Sequence, residues 1–156
     1  MGKMSDEKFI QIYEENKTSI FRIAFSYLRV KEDAQDVLQD TFLKLYMNPP
    51  KDDSNLLGWL ARVARNNCLD VIKKKKKEKE YFLKYQEEFH FDEKKFDILK
   101  YVLRLDEKYS SVIRLYYYGD LSIKDISTVL KISESNVKKR LERAREKLKV
   151  MIEEEK

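Results

Sequence analysis

Apolar residues recur at intervals of three and four along most of this chain, and few residues interrupt that pattern. Only three glycines and two prolines occur among 156 residues, so the sequence offers few points at which a helix must end. A repeat close to 3.6 residues places apolar side chains on one face of an amphipathic helix. Apolar residues make up 42% of the chain, enough for one medium or two small cores. The sequence therefore predicts an all-α fold.

The first half of the chain predicts three helices that pack together. The first covers residues 5–28, and a short link at 29–31 leads to the second. A loop at 47–54, which contains both prolines, precedes a third helix that begins near residues 55–56. The second helix has the clearest apolar stripe, and the residues expected to be buried there are Ala34, Val37, Leu38, Thr41, Phe42 and Leu45.

Five consecutive lysines, Lys73 to Lys77, follow the third predicted helix. A run of like charges repels itself and buries nothing, so we expect the first core to end there. The predicted organisation is two small helical domains, over residues 5–77 and 96–152, joined by a charged flexible linker over 78–95.

The second domain is predicted to contain a helix-turn-helix. Helices over residues 122–130 and 134–150 are separated by residues 131–133, which is the connection length of that motif. Ser122 and Ser133 precede the two helices and are expected to cap their amino termini.

Two shorter helices are predicted upstream of this motif. The first starts near Phe96. The second has Asp106 as its amino-terminal cap and stops at Gly119, a favourable residue at a helix carboxyl terminus. The side chains of the second helix expected to face the core are Tyr109, Val112, Ile113, Tyr116 and Tyr117.

The last predicted helix has an apolar inner face and a basic outer face when its residues are placed 100° apart. Residues 131–149 contain eight Lys or Arg and three Glu, a local charge of +5 that equals the net charge of the whole chain. Such a face is typical of nucleic-acid binding, where residues near the amino end read bases and distant cations contact phosphates. A solvated helix with internal salt bridges is the competing interpretation, and the preceding turn and caps disfavour it. The residues predicted to bind DNA are Ser135, Asn136, Lys138, Lys139, Arg140 and Arg143.

Three strings of residues together resemble one family. Residues 34–42 read AQDVLQDTF and resemble the A-E-D-x-x-Q-x-x-F signature of region two in RNA polymerase sigma factors. Residues 59–66 read WLARVARN and resemble a second segment of that region. Residues 121–147 resemble the helix-turn-helix of sigma region four. With no third domain between the two regions, the chain resembles an extracytoplasmic-function (ECF) sigma factor, which directs core polymerase to specific promoters and aids promoter melting.

The resemblance implies a polymerase-binding role for Asp36, Gln39 and Asp40 on the second helix. These positions match those by which region two grips the clamp helices of the largest polymerase subunit, and region four is expected to contact the flap. Short carboxylates and amides on an exposed helical face suit a basic partner surface. From their spacing alone they would be read as an ordinary polar face.

The resemblance implies a DNA-binding role for Arg62, Arg65 and Asn66, together with the loop at 47–55. They match the neighbourhood that holds the minus-ten element and captures a base from the opened strand. That task needs cations for phosphates and a polar pocket for one flipped base. Trp59 lies among them and is expected to belong to the core. The residues of the helix-turn-helix are then expected to bind the minus-thirty-five element.

The implied partners are core RNA polymerase, promoter DNA and an anti-sigma factor, with no membrane contact except through the anti-sigma partner. Cys68 is the single cysteine, so no intrachain disulfide forms, and no signal peptide or membrane span is evident in the sequence. These features predict a cytoplasmic protein. No catalytic residue, cofactor or metal ligand is expected.

The chain departs from the family pattern in the helix-turn-helix. Lys131 occupies a turn position where the family often has Gly, so it is expected to accept a left-handed or altered backbone at some cost. Ser135 and Asn136 replace a Gly-Thr pair, which bears on promoter preference rather than on the fold.

Three other classes of function compete with this interpretation. An enzyme is disfavoured because His90, the single histidine, has no metal-ligand cluster or glycine-rich loop around it. A one-component helix-turn-helix regulator would bind duplex DNA specifically without polymerase. An adaptor, in which both domains bind proteins, would keep its function after charge reversal at Lys139 and Arg143, whereas either DNA-binding class would lose it.

Overall fold

The structure, a computed structural model, describes residues 4–75 and 98–155. The predicted linker over 78–95, with His90, lies outside the described residues, as do Phe96 and the end of the lysine run. Every regular element in the two described ranges is helical, which confirms the predicted all-α fold. Within those ranges no helix combines the length and apolar character needed to cross a membrane.

Three helices form the amino-terminal domain: α1 (Asp6–Leu28), α2 (Lys31–Met47) and α3 (Leu56–Lys75). Each packs against the other two. The stripe predicted for α2 is buried at all six positions, because its spacing matches the helical period. Ser5 caps α1 by accepting from the amide of Lys8. The Asn55 side chain begins α3 in the same way, since its Oδ1 accepts from the amide of Gly58 at 3.0 Å.

The carboxyl-terminal domain consists of α4 (Leu99–Val102), α5 (Glu107–Ile113), a π turn (Arg114–Tyr118), α6 (Ile123–Leu130) and α7 (Glu134–Glu154). The helices α6 and α7 form the predicted helix-turn-helix, and both predicted serine caps are confirmed. Ser122 Oγ accepts from the amide of Asp125 at 3.0 Å, and Ser133 Oγ accepts from that of Asn136 at 3.1 Å.

The π turn corrects one prediction about the core. Tyr116 and Tyr117 were expected to face inward, yet they are 39% and 42% exposed, while Arg114, Leu115 and Tyr118 are buried. A π turn holds more residues than an α turn, so the side chains beyond its start rotate away from the face that the 3.6-residue period predicts.

Gly119 ends the π turn with an ordinary right-handed backbone, and Asp120 takes the left-handed conformation with φ 57°. The glycine is needed for space rather than for φ. A Cβ atom there would lie 2.7 Å from Ile23 Cδ1 of α1 and 2.8 Å from the carbonyl oxygen of Leu115. The turn therefore makes a close approach to the amino-terminal domain.

The two domains share one hydrophobic core in the described structure. The π turn packs on α1, and α6 packs on α3. Arg114 crosses this boundary with only 6% of its surface exposed. Its Nε donates to the carbonyl of Ser26 at 3.3 Å, and its guanidinium lies 4.3 Å from the centroid of the Tyr27 ring. A buried charge needs hydrogen bonds or ring contacts to offset the loss of hydration. Arg114 finds them on α1, so its side chain links the two domains.

Candidate nucleic-acid interface

The turn of the helix-turn-helix is set by Lys131 and Ser133. Lys131 closes α6 with φ 58° and ψ 44°, the left-handed conformation that the sequence departure predicted. The amide of Ile132 donates to the carbonyl of Ser127, and the Ser127 hydroxyl donates to the carbonyl of Ile132. These bonds satisfy backbone groups at the carboxyl terminus of α6. The turn thereby fixes the direction in which α7 leaves the domain.

Helix α7 has the two faces that its sequence predicted. Its inner face is buried: Val137, Leu141, Ala144 and Leu148. The outer residues predicted to bind DNA are exposed, with one exception: Ser135, Asn136, Lys138, Lys139 and Arg143 lie open, whereas Arg140 is half-buried. Arg140 lies beside Arg62 of α3, in a cleft between the domains.

Arg143 is held at its base by a tyrosine. Its hydrogen bond to Tyr109 lowers the pKa of that phenol, because a nearby guanidinium favours the phenolate. The hydrogen bond to Tyr109 restricts the orientation of the Arg143 side chain, which remains exposed. A positioned guanidinium loses less entropy when it binds a base or phosphate.

The polymerase-binding residues predicted on α2 are all exposed. Asp36, Gln39 and Asp40 share one face of the helix, away from its buried stripe. Leu43 and Met47 extend the same face, with 59% and 45% of their surfaces open. Sequence reasoning missed these two, although their spacing of three and four residues from Asp40 and Leu43 was a signal. An acidic face with exposed apolar side chains is typical of protein-binding surfaces.

Two of the residues predicted to bind opened DNA line a groove between α2 and α3. The groove has a volume of about 540 Å³, and Arg62 and Asn66 lie in its wall. Trp59, expected in the core, is half-buried and lines the same groove with Asp40. Cations, an amide and a partly open aromatic ring are the groups that bind an unstacked base and its phosphate.

The third of these residues, Arg65, is held between the two domains. Its Nε donates to Tyr27 Oη at 3.0 Å, and its Nη2 donates to Glu107 Oε1 of α5 at 3.1 Å. Burial raises the pKa of Tyr27, and Arg114 and Arg65 oppose that rise. Of the three predicted contacts to the minus-ten element, Arg65 alone is bound by a residue of the other domain.

A further groove, of about 700 Å³, lies between α5 and the end of α7. Its apolar lining includes Leu105, Tyr109 and Met151, and its charged lining residues are Arg104, Asp106, Arg143, Glu146 and Lys147. Sequence reasoning did not find it, because it forms between residues some 40 positions apart along the chain. An apolar groove flanked by charges of both signs suits an amphipathic segment of a partner protein.

Two family models match the chain and together cover both domains. The model described as Sigma-70 region 2 matches residues 12–78, and that described as Sigma-70, region 4 matches residues 95–148. The two regions follow one another in the order that the sequence strings predicted.

Curated relatives are similar over nearly the full length of the chain. The ECF RNA polymerase sigma factor SigM of Bacillus subtilis (strain 168) is 32% identical over 151 residues, which cover 90% of this chain and 93% of that protein. SigW of the same organism, also an ECF RNA polymerase sigma factor, is 29% identical and covers 94% of this chain and 90% of its own.

Solved structures share the fold at lower identity. CnrH, solved with the cytosolic domain of CnrY, has a TM-score of 0.75 at 21% identity, over 97% of this chain and 92% of its own. RpoE from Bartonella quintana, solved with the anti-sigma factor NepR, has a TM-score of 0.73 at 20% identity, over 94% and 98%. Both cover the two helical domains together.

Proposed function

The chain belongs to the ECF RNA polymerase sigma factors, and from that premise we propose how its surfaces divide the work of promoter recognition. Its function is to direct core polymerase to specific promoters and to help open them. The main support for assigning polymerase binding and DNA binding to different surfaces is a contrast in charge. The exposed face of α2 is acidic, the outer face of α7 is basic, and the two faces lie in different domains.

The face of α2 binds the clamp helices of the largest polymerase subunit. Asp36, Gln39 and Asp40 supply carboxylates and an amide to basic groups of the partner, and Leu43 and Met47 add apolar contact at the end of the face. Among the described residues, none of the three polar side chains forms an ion pair or hydrogen bond within the chain, so binding breaks no existing contact.

The outer face of α7 reads the minus-thirty-five element in the major groove. Asn136 and Lys139 are near the helix amino terminus, where side chains reach base edges, and Ser135, Lys138, Arg140 and Arg143 surround them. Their exposure and the charge of the helix support this assignment. The groove beside Tyr109 binds the polymerase flap.

Arg62, Arg65 and Asn66 hold the minus-ten element and the opened strand. In the structure the two domains pack against each other, an arrangement that we call closed. It is incompatible with binding both promoter elements at once, because it brings Arg62 and Arg140 into one cleft. The two elements are about 25 base pairs apart by their positions, on the order of 80 Å at 3.4 Å per base pair. The domains therefore separate when the chain joins polymerase and promoter, and separation releases Arg65 from Glu107.

An anti-sigma factor that binds both domains would favour the closed arrangement. Support comes from the similar folds of CnrH and RpoE, which were solved with CnrY and NepR. We place the chain in the cytoplasm, where core polymerase is found, with membrane contact only through such a partner. The chain makes and breaks no covalent bond, and the polymerase performs the chemistry.

The test is run-off transcription from a genomic promoter library with purified core polymerase. We expect discrete transcripts only when the protein is present, and we expect them to disappear when Asp36, Gln39 and Asp40 are all replaced by Ala. The matched control replaces Glu14, Glu15 and Gln11 of α1 by Ala, which alters a similar number of exposed polar groups away from α2 and leaves transcription unchanged.

Two outcomes would overturn the proposal. If transcripts are absent while the free protein binds a specific duplex tightly, the chain acts as a one-component regulator. If the α2 variant transcribes as well as the unaltered protein, this face does not bind polymerase.

A further inference from the structure

A cleft of about 490 Å³ lies where the two domains meet. Cations enter it from three directions: Arg62 and Arg65 from α3, Lys108 from α5, and Lys131 with Arg140 from the helix-turn-helix. Glu107 is the single acidic residue in its lining. The cleft exists only while the domains are together, because neither domain supplies all of its walls.

The charge in this cleft is not balanced by the protein. The carboxylate of Glu107 already forms ion pairs with two guanidinium groups: its Oε1 lies 3.1 Å from Arg65 Nη2, and its Oε2 lies 3.7 Å from Arg114 Nη1. Arg62, Lys131 and Arg140 have no acidic partner within 4 Å among residues 4–75 and 98–155. Lys108 contacts the Tyr109 ring, with Nζ 5.1 Å from its centroid, and has no acid there either. Four unneutralised cations around so small a volume lie within roughly one Debye length of each other, so their repulsion opposes closure.

Lys131 supplies a second, independent observation. Its backbone is left-handed, with φ 58°, a conformation that glycine adopts freely and that a lysine adopts at a cost. The chain therefore carries a cation where glycine would be less strained, and Lys131 is one of the lining residues of the cleft. The left-handed backbone itself belongs to the carboxyl-terminal cap of α6.

We propose that this cleft binds a small molecule that carries a diphosphate group, such as a nucleoside diphosphate, and that the ligand holds the two domains closed. The four cations suit a compact ligand of high negative charge such as a diphosphate, and Ser111 and Asn66 add polar groups to the wall. Val129 and Leu130 add apolar groups to the lining. The volume falls in the range of small-molecule sites. The proposal concerns the free chain and does not depend on which promoter elements it reads.

The test is isothermal titration of the full-length protein with inorganic pyrophosphate and with ADP, in the absence of polymerase and DNA. We expect saturable binding of one ligand per chain and a rise in the melting temperature. Tighter binding of ADP than of pyrophosphate would show that the nucleoside contacts the apolar groups of the lining, whereas equal binding would show recognition of the diphosphate alone. Either result supports the site.

Three variants separate the site from general attraction of anions. Lys131→Gly removes one cation and relieves the backbone, so it should melt at a higher temperature without ligand yet bind pyrophosphate about 10-fold more weakly. Lys108→Gln should weaken binding similarly. Lys124→Gln changes the charge by the same amount on an exposed position of α6 outside the cleft, and it should bind as the unaltered protein does.

Three results would overturn the proposal. One is the absence of binding by either ligand. Another is equal loss of affinity in Lys124→Gln and Lys131→Gly, which would indicate nonspecific attraction. The third is binding of a short single-stranded oligonucleotide without binding of ADP or pyrophosphate, which would identify the cleft as part of a nucleic-acid surface.

Discussion

The two predicted DNA-binding surfaces differ in what the closed structure does with their cations. On α7 the outer cations other than Arg140 are open to solvent, and Arg143 is hydrogen-bonded to Tyr109 while it stays exposed. On α3 the corresponding cation, Arg65, is bound by Tyr27 and by Glu107 of the other domain. Similar side chains thus differ in availability because of domain packing: Arg65 is engaged between the domains, whereas Arg62 and Asn66 of the same helix are exposed.

The largest effect is expected at Cys68, which lies beneath Arg65 and Arg114. Burial raises the pKa of this thiol to about 12, so at pH 8 it should react about 1000-fold more slowly with an aromatic disulfide than an exposed cysteine does. Since folding raises this pKa from 9.0, stability is greatest below pH 9 and falls as the pH rises from 9 toward 12. Rapid reaction of the thiol in the native protein at pH 8 would show that Cys68 is accessible to solvent and would contradict its burial.

Removal of the buried arginine should break the contact between the domains. We expect Arg114→Ala to lower the free energy of unfolding by about 3 kcal/mol, because it removes a buried charged hydrogen bond and a desolvated cation–π contact. Arg145→Ala is the matched control, since Arg145 lies 5.3 Å from the centroid of the exposed Tyr116 ring and should cost less than about 1 kcal/mol. Urea unfolding measures both. Equal losses would mean that Arg114 has no special role at the boundary.

Charge reversal on the outer face of α7 should weaken promoter binding strongly without affecting domain packing. We expect Lys138→Glu combined with Lys139→Glu to weaken binding of holoenzyme to a minus-thirty-five duplex about 100-fold, while the melting temperature stays within about 2 °C of the unaltered protein. Lys149→Glu, at the far end of α7, should weaken binding less than about 10-fold. Electrophoretic mobility shift with labelled duplex gives both values, and similar losses at the two ends would argue against readout near the amino terminus.

Release of the covered cation should improve binding of single-stranded DNA. Glu107→Gln removes the partner of Arg65, and we expect the free chain to bind a minus-ten oligonucleotide about 5-fold more tightly, because an acid leaves and a guanidinium is freed. The cost in stability should be within about 1 kcal/mol, since Glu107 is 57% exposed. Fluorescence anisotropy measures the affinity. Weaker binding in this variant would contradict the idea that Glu107 covers Arg65.

The smallest predicted effect concerns the two residues that follow a helix with a left-handed backbone, Arg29 after α1 and Lys131 after α6. Lys131→Gly should stabilise the protein by about 0.5 kcal/mol, because the exposed lysine gains nothing from packing that offsets its backbone strain. Arg29→Gly should give a smaller gain, since Arg29 is partly buried and its side chain contributes contacts. Thermal unfolding of both variants tests the order.

The elements that the sequence predicted correctly are those set by local chemistry. The helical periods of α1, α2 and α7, the caps at Ser122 and Ser133, and the left-handed backbone at Lys131 all follow from residues within a few positions of each other. Exposure of the polar residues on α2 and of most of those on α7 followed from the same periods.

The features that the sequence did not predict depend on packing between distant residues. The π turn at Arg114–Tyr118 breaks the 3.6-residue period without a glycine or proline inside it. Burial of Arg114 against Tyr27 joins positions 87 residues apart. No local pattern marks either of these features, and Arg65 was read only as a cation available to DNA. The contacts that hold Arg65 between the domains therefore required the structure.

The most direct test of domain opening is a distance measurement between α1 and α6. Spin labels are attached in the background Cys68→Ala at Glu15→Cys and Lys124→Cys, both exposed positions outside the proposed binding faces, and pulsed dipolar spectroscopy is recorded with and without core polymerase. We expect one short distance for the free chain and a distance longer by tens of ångströms in the holoenzyme. An unchanged short distance in a transcriptionally active holoenzyme would contradict the opening of the two domains.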